Sequence, residues 1–334
     1  MTLNDIYHAL DPVAFTIGPF QVRWYGMAYI VGFCCVALIM WLLARRWKIR
    51  FDADALSTFI LCVMVGVVLG ARLGYVLVYG DGWYWAHPED ILAFHKGGMS
   101  FHGGLVGAVI AGIVATRITK IPFLTLADLA VCGAPVALFF GRCANFINGE
   151  LWGAVTDVPW GVIFDGAAGP LPRHPSQLYE ALLEGVVIFL VLFILSRKNN
   201  PPRPRGTFLA VFFVLYGIFR FAVEFVRQPD AQIGYLLGTD WLTMGQVLSV
   251  PLIIAGIVML FWVAKRNLPQ QGAPEPAAPA VAEPLPAEEE AVTEVAAESR
   301  EVAAAVEAPA AQAETAAESS AESADTGGDA GSVE

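Results

Sequence analysis

Apolar residues in this chain fall into seven long runs separated by short polar segments, at roughly 24–44, 55–79, 102–118, 124–147, 177–196, 207–226 and 245–264. Each is long enough to cross about 30 Å of hydrocarbon as a helix. Backbone polar groups in lipid must be satisfied within their own segment, so the pattern predicts an all-α polytopic membrane protein with seven transmembrane helices. The second run carries Gly66-x-x-x-Gly70-x-x-x-Gly74 and the third carries Gly103-x-x-x-Gly107 and Ala108-x-x-x-Gly112, and small residues at this spacing let helix backbones approach closely. The first twenty residues lack the basic start, apolar centre and small-residue cleavage site of a signal peptide. The N-terminus is therefore expected to be retained, lying along the membrane surface. Residues 151–175, with Pro159, Pro170, Pro172, Trp152 and Trp160, are too long for a tight turn and too aromatic for a flexible linker, and they predict a small cap.

Charge adds sidedness. Hydrophobic residues make up 56% of the 334 positions and charged residues 15%, against about 25% charged in an ordinary soluble domain. Residues 268–334 hold fifteen Asp/Glu against one Arg, a net −14, which out of the total −11 leaves +3 on residues 1–267. That tail, rich in Ala, Glu and Pro without Phe, Trp or Tyr, cannot bury enough apolar surface to fold. The organisation read here is a membrane domain over 1–267 and a disordered acidic tail over 268–334. Arg45, Arg46, Lys48, Arg50, Arg117, Lys120, Arg197, Lys198, Arg203, Arg205, Lys265 and Arg266 occupy alternate loops; the other loops hold only Arg23, Lys96, Arg173 and Arg227. By the positive-inside rule the N-terminus is outside and the C-terminus and tail are cytoplasmic, so the cap is extracytoplasmic. Trp83, Tyr84, Trp85, Trp152, Trp160 and Trp241 fall in the outer loops as an interfacial belt. Cys34, Cys35, Cys62, Cys132 and Cys143 sit in apolar runs without metal-type spacing, so neither disulfides nor a metal is expected.

Against this background the polar residues inside the runs stand out. Phe140-Gly141-Arg142-Cys143-Ala144-Asn145-Phe146-Ile147-Asn148-Gly149-Glu150-Leu151-Trp152-Gly153 carries an arginine, two amides and a carboxylate to the mouth of the fourth run. A charge at mid-membrane costs about 2.5–3.5 kcal/mol on insertion scales, so such groups mark a functional site. The same outer depth holds Tyr25, Arg72, His102 and, at successive i, i+4 positions of the sixth run, Tyr216, Arg220 and Glu224. One reading is an Arg220–Glu224 pair that fixes helix packing. The other starts from an apparent surplus: Arg72, Arg142 and Arg220 face only Glu224 and Glu150, which invites an anion such as a phospholipid headgroup.

Gly141-Arg142-x-Ala144-Asn145-Phe146-Ile147-Asn148-x-Glu150-x-x-Gly153 resembles the signature of the bacterial prolipoprotein diacylglyceryl transferases. The likeness extends to Arg23-Trp24-Tyr25-Gly26, His102-Gly103-Gly104, His174-Pro175-Ser176-Gln177-Leu178-Tyr179-Glu180 and the helix from Tyr216 to Arg227, about residues 20 to 264. The resemblance implies that the thiol of a lipobox cysteine in a prolipoprotein signal peptide displaces glycerol phosphate from phosphatidylglycerol, at the extracytoplasmic leaflet of the bacterial cytoplasmic (inner) membrane. Arg142 and Arg220 match positions suited to the departing phosphate, and Asn145 and Tyr25 would orient headgroup oxygens; Tyr216, Asn148, Gly153 and Arg72 complete the expected lipid contacts. For His102 three roles stand open: general base, with an unperturbed imidazole value of about 6.5, headgroup contact, or packing. Glu150 and Glu224 are alternative bases or holders of the arginines. Cys143 has no base three or four positions away, and the family reaction uses the substrate's thiol. No cofactor and no nucleic-acid partner are implied. A phospholipid-binding or anion-conducting membrane protein would also gather arginines, but a channel needs a polar path through both halves of the membrane.

The charge asymmetry makes a direct prediction: a reporter active only in the cytoplasm is on when fused after Lys265 and off when fused after Gly82. The opposite pattern would invert the placement of every residue above.

Overall fold

The computed structural model describes residues 1–80, 82–94, 97–197, 203–229 and 234–274; Lys96, Lys198 and the tail from residue 275 lie outside the described residues. In chain order the elements are α1 (Leu3–His8), β1 (Val13–Ile17), β2 (Phe20–Arg23), α2 (Trp24–Arg46), α3 (Ala53–Tyr79), α4 (Trp83–Ala86), α5 (Phe101–Thr119), α6 (Phe123–Asn148), α7 (Ser176–Glu180), α8 (Ile188–Arg197), α9 (Thr207–Val223) and α10 (Met244–Arg266). Among the described residues, seven helices are long and apolar enough to span a membrane, within a few residues of the predicted runs. The fifth span is composite: α7 and α8 are joined by a π-helical stretch, Ala181–Val187. The sixth continues past α9 as a 3-10 turn, Glu224–Val226.

The spans start where side chains can satisfy first-turn amides. Asp52 accepts from Ala55 N at 2.8 Å, Ser100 from Gly103 N at 3.2 Å, and Thr243 forms a capping box with Gln246. The spans then pair antiparallel, α2 with α6, α3 with α5 and α9 with α10. α6 has the largest buried share of the seven and also touches the fifth and sixth spans. This pairing brings the start of α2, the end of α6, the start of α7, the end of α9 and the start of α10 to one end of the bundle. The opposite end is closed by an apolar core that includes Met40, Trp47, Phe51, Leu126, Leu129, Ile188, Leu192 and Phe208, with the Trp47 and Phe208 rings stacked at 5.0 Å.

Two features depart from the sequence reading. The N-terminal residues form a β-hairpin, Phe15 opposite Val22 and Ile17 opposite Phe20, turned at Gly18 with φ +58°; a Gly-Pro turn between such short strands gave too weak an alternation to register. Beyond α10, Gln270 and Gln271, which the sequence assigns to the tail, are tied to the bundle. Gln270 Nε2 donates to the buried Asp128 carboxylate at 2.6 Å, Gln271 N donates to Thr125 Oγ1 at 3.4 Å, and Ala273 N donates to the Arg50 carbonyl at 2.8 Å. Asp128 in turn accepts from Gly206 N at 2.7 Å and Leu209 N at 2.8 Å, capping α9.

The α3–α5 contact is backbone on backbone. A Cβ added at Gly107 would lie 2.0 Å from the Gly66 carbonyl oxygen, whereas one at Gly104 meets its nearest atom at 3.4 Å. Gly107→Ala is therefore expected to destabilise by about 1–3 kcal/mol, the usual cost of overpacking, and Gly104→Ala to be near neutral. Equal melting temperatures for the two variants in detergent would refute the close contact.

Candidate functional site

Three arginines and three glutamates meet at the shared end of the bundle. Arg142 comes from the last turns of α6, Glu180 from the end of α7, Glu184 from the π-helical stretch, Arg220 from α9, and Glu224 and Arg227 from the turn after it. Glu180 and Glu184 are 0% exposed. The Glu180 carboxylate faces Arg142 Nε at 3.0 Å, Arg227 Nη1 at 3.1 Å and Arg220 Nη1 at 3.5 Å. Glu184 approaches Arg142 Nη2 at 3.5 Å, and Glu224 pairs with Arg220. The Glu224 carboxyl rests against Gly245 in the first turn of α10, where the helix dipole favours negative charge. Tyr216 is half-buried within electrostatic reach of Glu184, Arg142, Arg220 and Glu180.

The apparent surplus of guanidinium groups does not survive this geometry. Glu180 and Glu184 counterbalance the arginines, and the sequence reading gave them no role although they stand four apart in an apolar span, the spacing of one helical face. Buried charges persist only when paired and hydrogen-bonded, so two acids in such a span were themselves a sign of cationic neighbours. Arg72 is the second correction. It is 1% exposed, and its guanidinium donates to the carbonyls of Ile91 at 2.8 Å, Asp90 at 2.7 Å, Gly98 at 3.0 Å and Gly97. Every guanidinium nitrogen thus holds the loop between α3 and α5, where the sequence pointed to a lipid headgroup.

Around the arginines the structure gathers most of the remaining candidates. Asn145 and Asn148 both donate to Glu150 Oε1, at 2.8 and 3.2 Å, while the Glu150 carbonyl accepts from Gln177 Nε2 at 2.7 Å. Tyr25, at the start of α2, meets Tyr29 hydroxyl to hydroxyl at 3.0 Å and lies within electrostatic reach of Glu150 and Arg142. Gly153 has a packing reason: a Cβ there would come within 2.5 Å of the Val226 carbonyl and 2.7 Å of His174. His102 stands exposed on the first turn of α5, the helix paired with α3, and so belongs to a different helix pair from the arginine cluster.

A cap covers this end, as the aromatic segment predicted. Residues 153–155 pair with Arg227 and Arg173, and Val162 also pairs with Arg173. Tyr7 of α1, Phe146, Val162, Phe164 and Ala168 form a second small core beneath it. Arg173 donates to the carbonyls of Ala168 at 2.8 Å and Gly153 at 3.2 Å and lies over the Trp152 ring at 4.3 Å. Burial holds the His174 imidazole below its ordinary value, and its Nδ1 meets the Tyr179 hydroxyl at 3.1 Å. Chemically, the result is a set of guanidinium forks held from behind by buried carboxylates, an arrangement suited to phosphate-type oxyanions.

Comparison with known proteins gives one consistent answer. Residues 12–262 match the family model described as prolipoprotein diacylglyceryl transferase. The chain is similar to proteins named phosphatidylglycerol–prolipoprotein diacylglyceryl transferase from Geobacter sulfurreducens, 48% identical over 259 residues covering 78% of this chain and 97% of that protein. The same name belongs to relatives from Pseudomonas paraeruginosa, 48% identical over 79% of this chain and 97% of the relative, and Nitratidesulfovibrio vulgaris, 49% identical over 75% and 94%.

Glu180 is the member of the cluster with most to lose. Removing one partner of a buried ion pair typically costs about 3–5 kcal/mol because the other charge is stranded. Glu180→Ala is expected to melt well below the parent, and Glu180→Gln, which keeps an acceptor oxygen, in between. A Glu180→Ala protein that melts like the parent would show that the shared carboxylate is not what holds the arginines.

Proposed function

Because the chain belongs to the prolipoprotein diacylglyceryl transferase family, we propose that the arginine–glutamate cluster clamps the phosphate of phosphatidylglycerol while the diacylglyceryl group moves to the thiol of a prolipoprotein cysteine. The carrying observation is that three buried carboxylates orient Arg142 and Arg220 from behind, leaving part of each guanidinium without a partner among the described residues. Each fork has five N–H donors. Among the described residues the glutamates engage Nε and Nη2 of Arg142 and Nη1 of Arg220.

The reaction is a substitution at carbon. The thiolate's electron pair forms the new S–C bond, the C–O bond to the phosphate breaks with its pair remaining on oxygen, and the products are a thioether and glycerol phosphate. Two things lower the barrier: removal of the thiol proton and stabilisation of charge growing on the leaving phosphate by donors already in place. Arg142 and Arg220 supply the second, and Glu180, Glu184 and Glu224 fix them so that little reorganisation accompanies the reaction. Asn145, Asn148 and Tyr25 orient the headgroup from the α2–α6 side, with Glu150 holding the two amides. The candidate acceptors for the thiol proton are His102, Glu150 and Glu224. The orientation follows the positive residues: N-terminus outside, site in the extracytoplasmic leaflet of the cytoplasmic membrane, C-terminus inside. An anion-conducting role is disfavoured by the apolar core that fills the other end of the bundle.

If the clamp acts mainly in the transition state, its loss lowers turnover more than affinity. Arg142→Gln and Arg220→Gln are expected to reduce single-turnover thioether formation by roughly 10²–10³, as loss of an oxyanion donor does, with Arg→Lys recovering part of it. Melting temperatures measured on the same samples separate chemistry from folding, and near-normal turnover per folded molecule in both Gln variants would reject the clamp.

A further inference from the structure

A cavity of about 480 Å³ lies between the cap and the end of the sixth span, lined by Glu150, Trp152, Asp165, Ala167, Arg173 and Arg227 among others. Its volume falls within the roughly 300–1,000 Å³ of small-ligand sites. Arg227 connects it to the arginine cluster, because its Nη1 shares Glu180 Oε1 with Arg220. Glu150 connects it to Asn145 and Asn148. The lining mixes two guanidinium groups with two carboxylates. Arg173 Nη2 and Arg227 Nε and Nη2 make no hydrogen bond within the protein among the described residues, while Glu150 and Gln228 offer acceptor oxygens.

Apolar wall from Leu151, Trp152, Ala167 and Pro229 separates these charged groups. A phosphate monoester bearing hydroxyl groups matches both halves of the lining: its phosphate oxygens accept from the free guanidinium N–H groups, and its hydroxyls donate to the carboxylates. We infer that this cavity is the chamber for the glycerol phosphate part of phosphatidylglycerol, holding it as headgroup before the C–O bond breaks and as free product before release. Arg227 then hands the phosphate from the Arg142–Arg220 clamp toward Arg173 at the cap. The assignment rests on the transferase function, but the binding it requires is measurable without turnover.

The test uses the full chain in detergent and glycerol 1-phosphate as the probe. The parent is expected to bind it in calorimetry without lipid or peptide, and to be inhibited by it in a thioether assay with phosphatidylglycerol and a lipobox peptide. Arg227→Gln is expected to weaken both binding and inhibition at least tenfold. Since Arg227 also pairs with Glu180, Ala167→Trp provides the independent variant. Ala167 is exposed on the cavity wall, so the indole fills the chamber without touching the ion pairs; melting is expected to be unchanged and glycerol phosphate binding lost. Parent protein that binds no glycerol phosphate, or normal binding in Ala167→Trp whatever Arg227→Gln does, overturns the assignment. A raised KM for the peptide in Ala167→Trp with unchanged glycerol phosphate inhibition would give the cavity to the peptide and overturn it equally. Parent protein that binds glycerol phosphate but forms no thioether would refute the transferase reading while leaving the chamber standing.

Discussion

Burying the Glu180 carboxylate is the constraint on which the working end of this bundle depends. A carboxylate at 0% exposure is tolerable only with close cationic partners, and here they come from three places in the sequence: Arg142 on α6, Arg220 on α9 and Arg227 just after it. The acid therefore ties the fourth, fifth and sixth spans together at the depth where a phosphate would sit. The same contacts that solve the problem of a buried charge also fix the direction of the guanidinium forks, so stability and preorganisation have one origin. The π-helical stretch that follows Glu180 shifts the helical phase between Glu180 and Glu184, and such stretches are frequent at functional positions.

Much of the fold was legible because lipid leaves the chain few options. An unbroken apolar run in a bilayer is a helix, so all seven spans follow from composition, and the small-residue spacing of the second and third spans marked them for close helix packing. The arginines of the site were equally visible, since Arg142 and Arg220 interrupt apolar runs. Their partners were harder to see. Glu180 lies in the His174–Glu180 motif and Glu184 a turn beyond, but one-dimensional reading set each arginine against acids on its own or the adjoining segment, and the true partners come across the bundle.

Arg72 shows the opposite failure. A buried arginine was legible, but its partners are main-chain carbonyls, which carry no mark in the sequence. Gly153 belongs to the same class: its place in the signature reflects a crossing of backbones against Val226 and His174, which only the folded cap reveals. The hairpin before α2 and the strap after α10 were missed because each is too short to show a periodicity, and the strap depends on contacts with distant residues.

That strap sets an order of assembly. Asp128 lies in the middle of the chain, caps the start of α9, and takes a side-chain donor from Gln270. A ribosome has therefore delivered the fourth span, with a carboxylate that has no full set of partners, long before residue 270 emerges. Completion of the bundle waits for the last segment of the membrane unit to be made, so a chain interrupted between α9 and Gln270 carries a buried acid that lacks its Gln270 donor, a defect by which unfinished protein is distinguishable from finished.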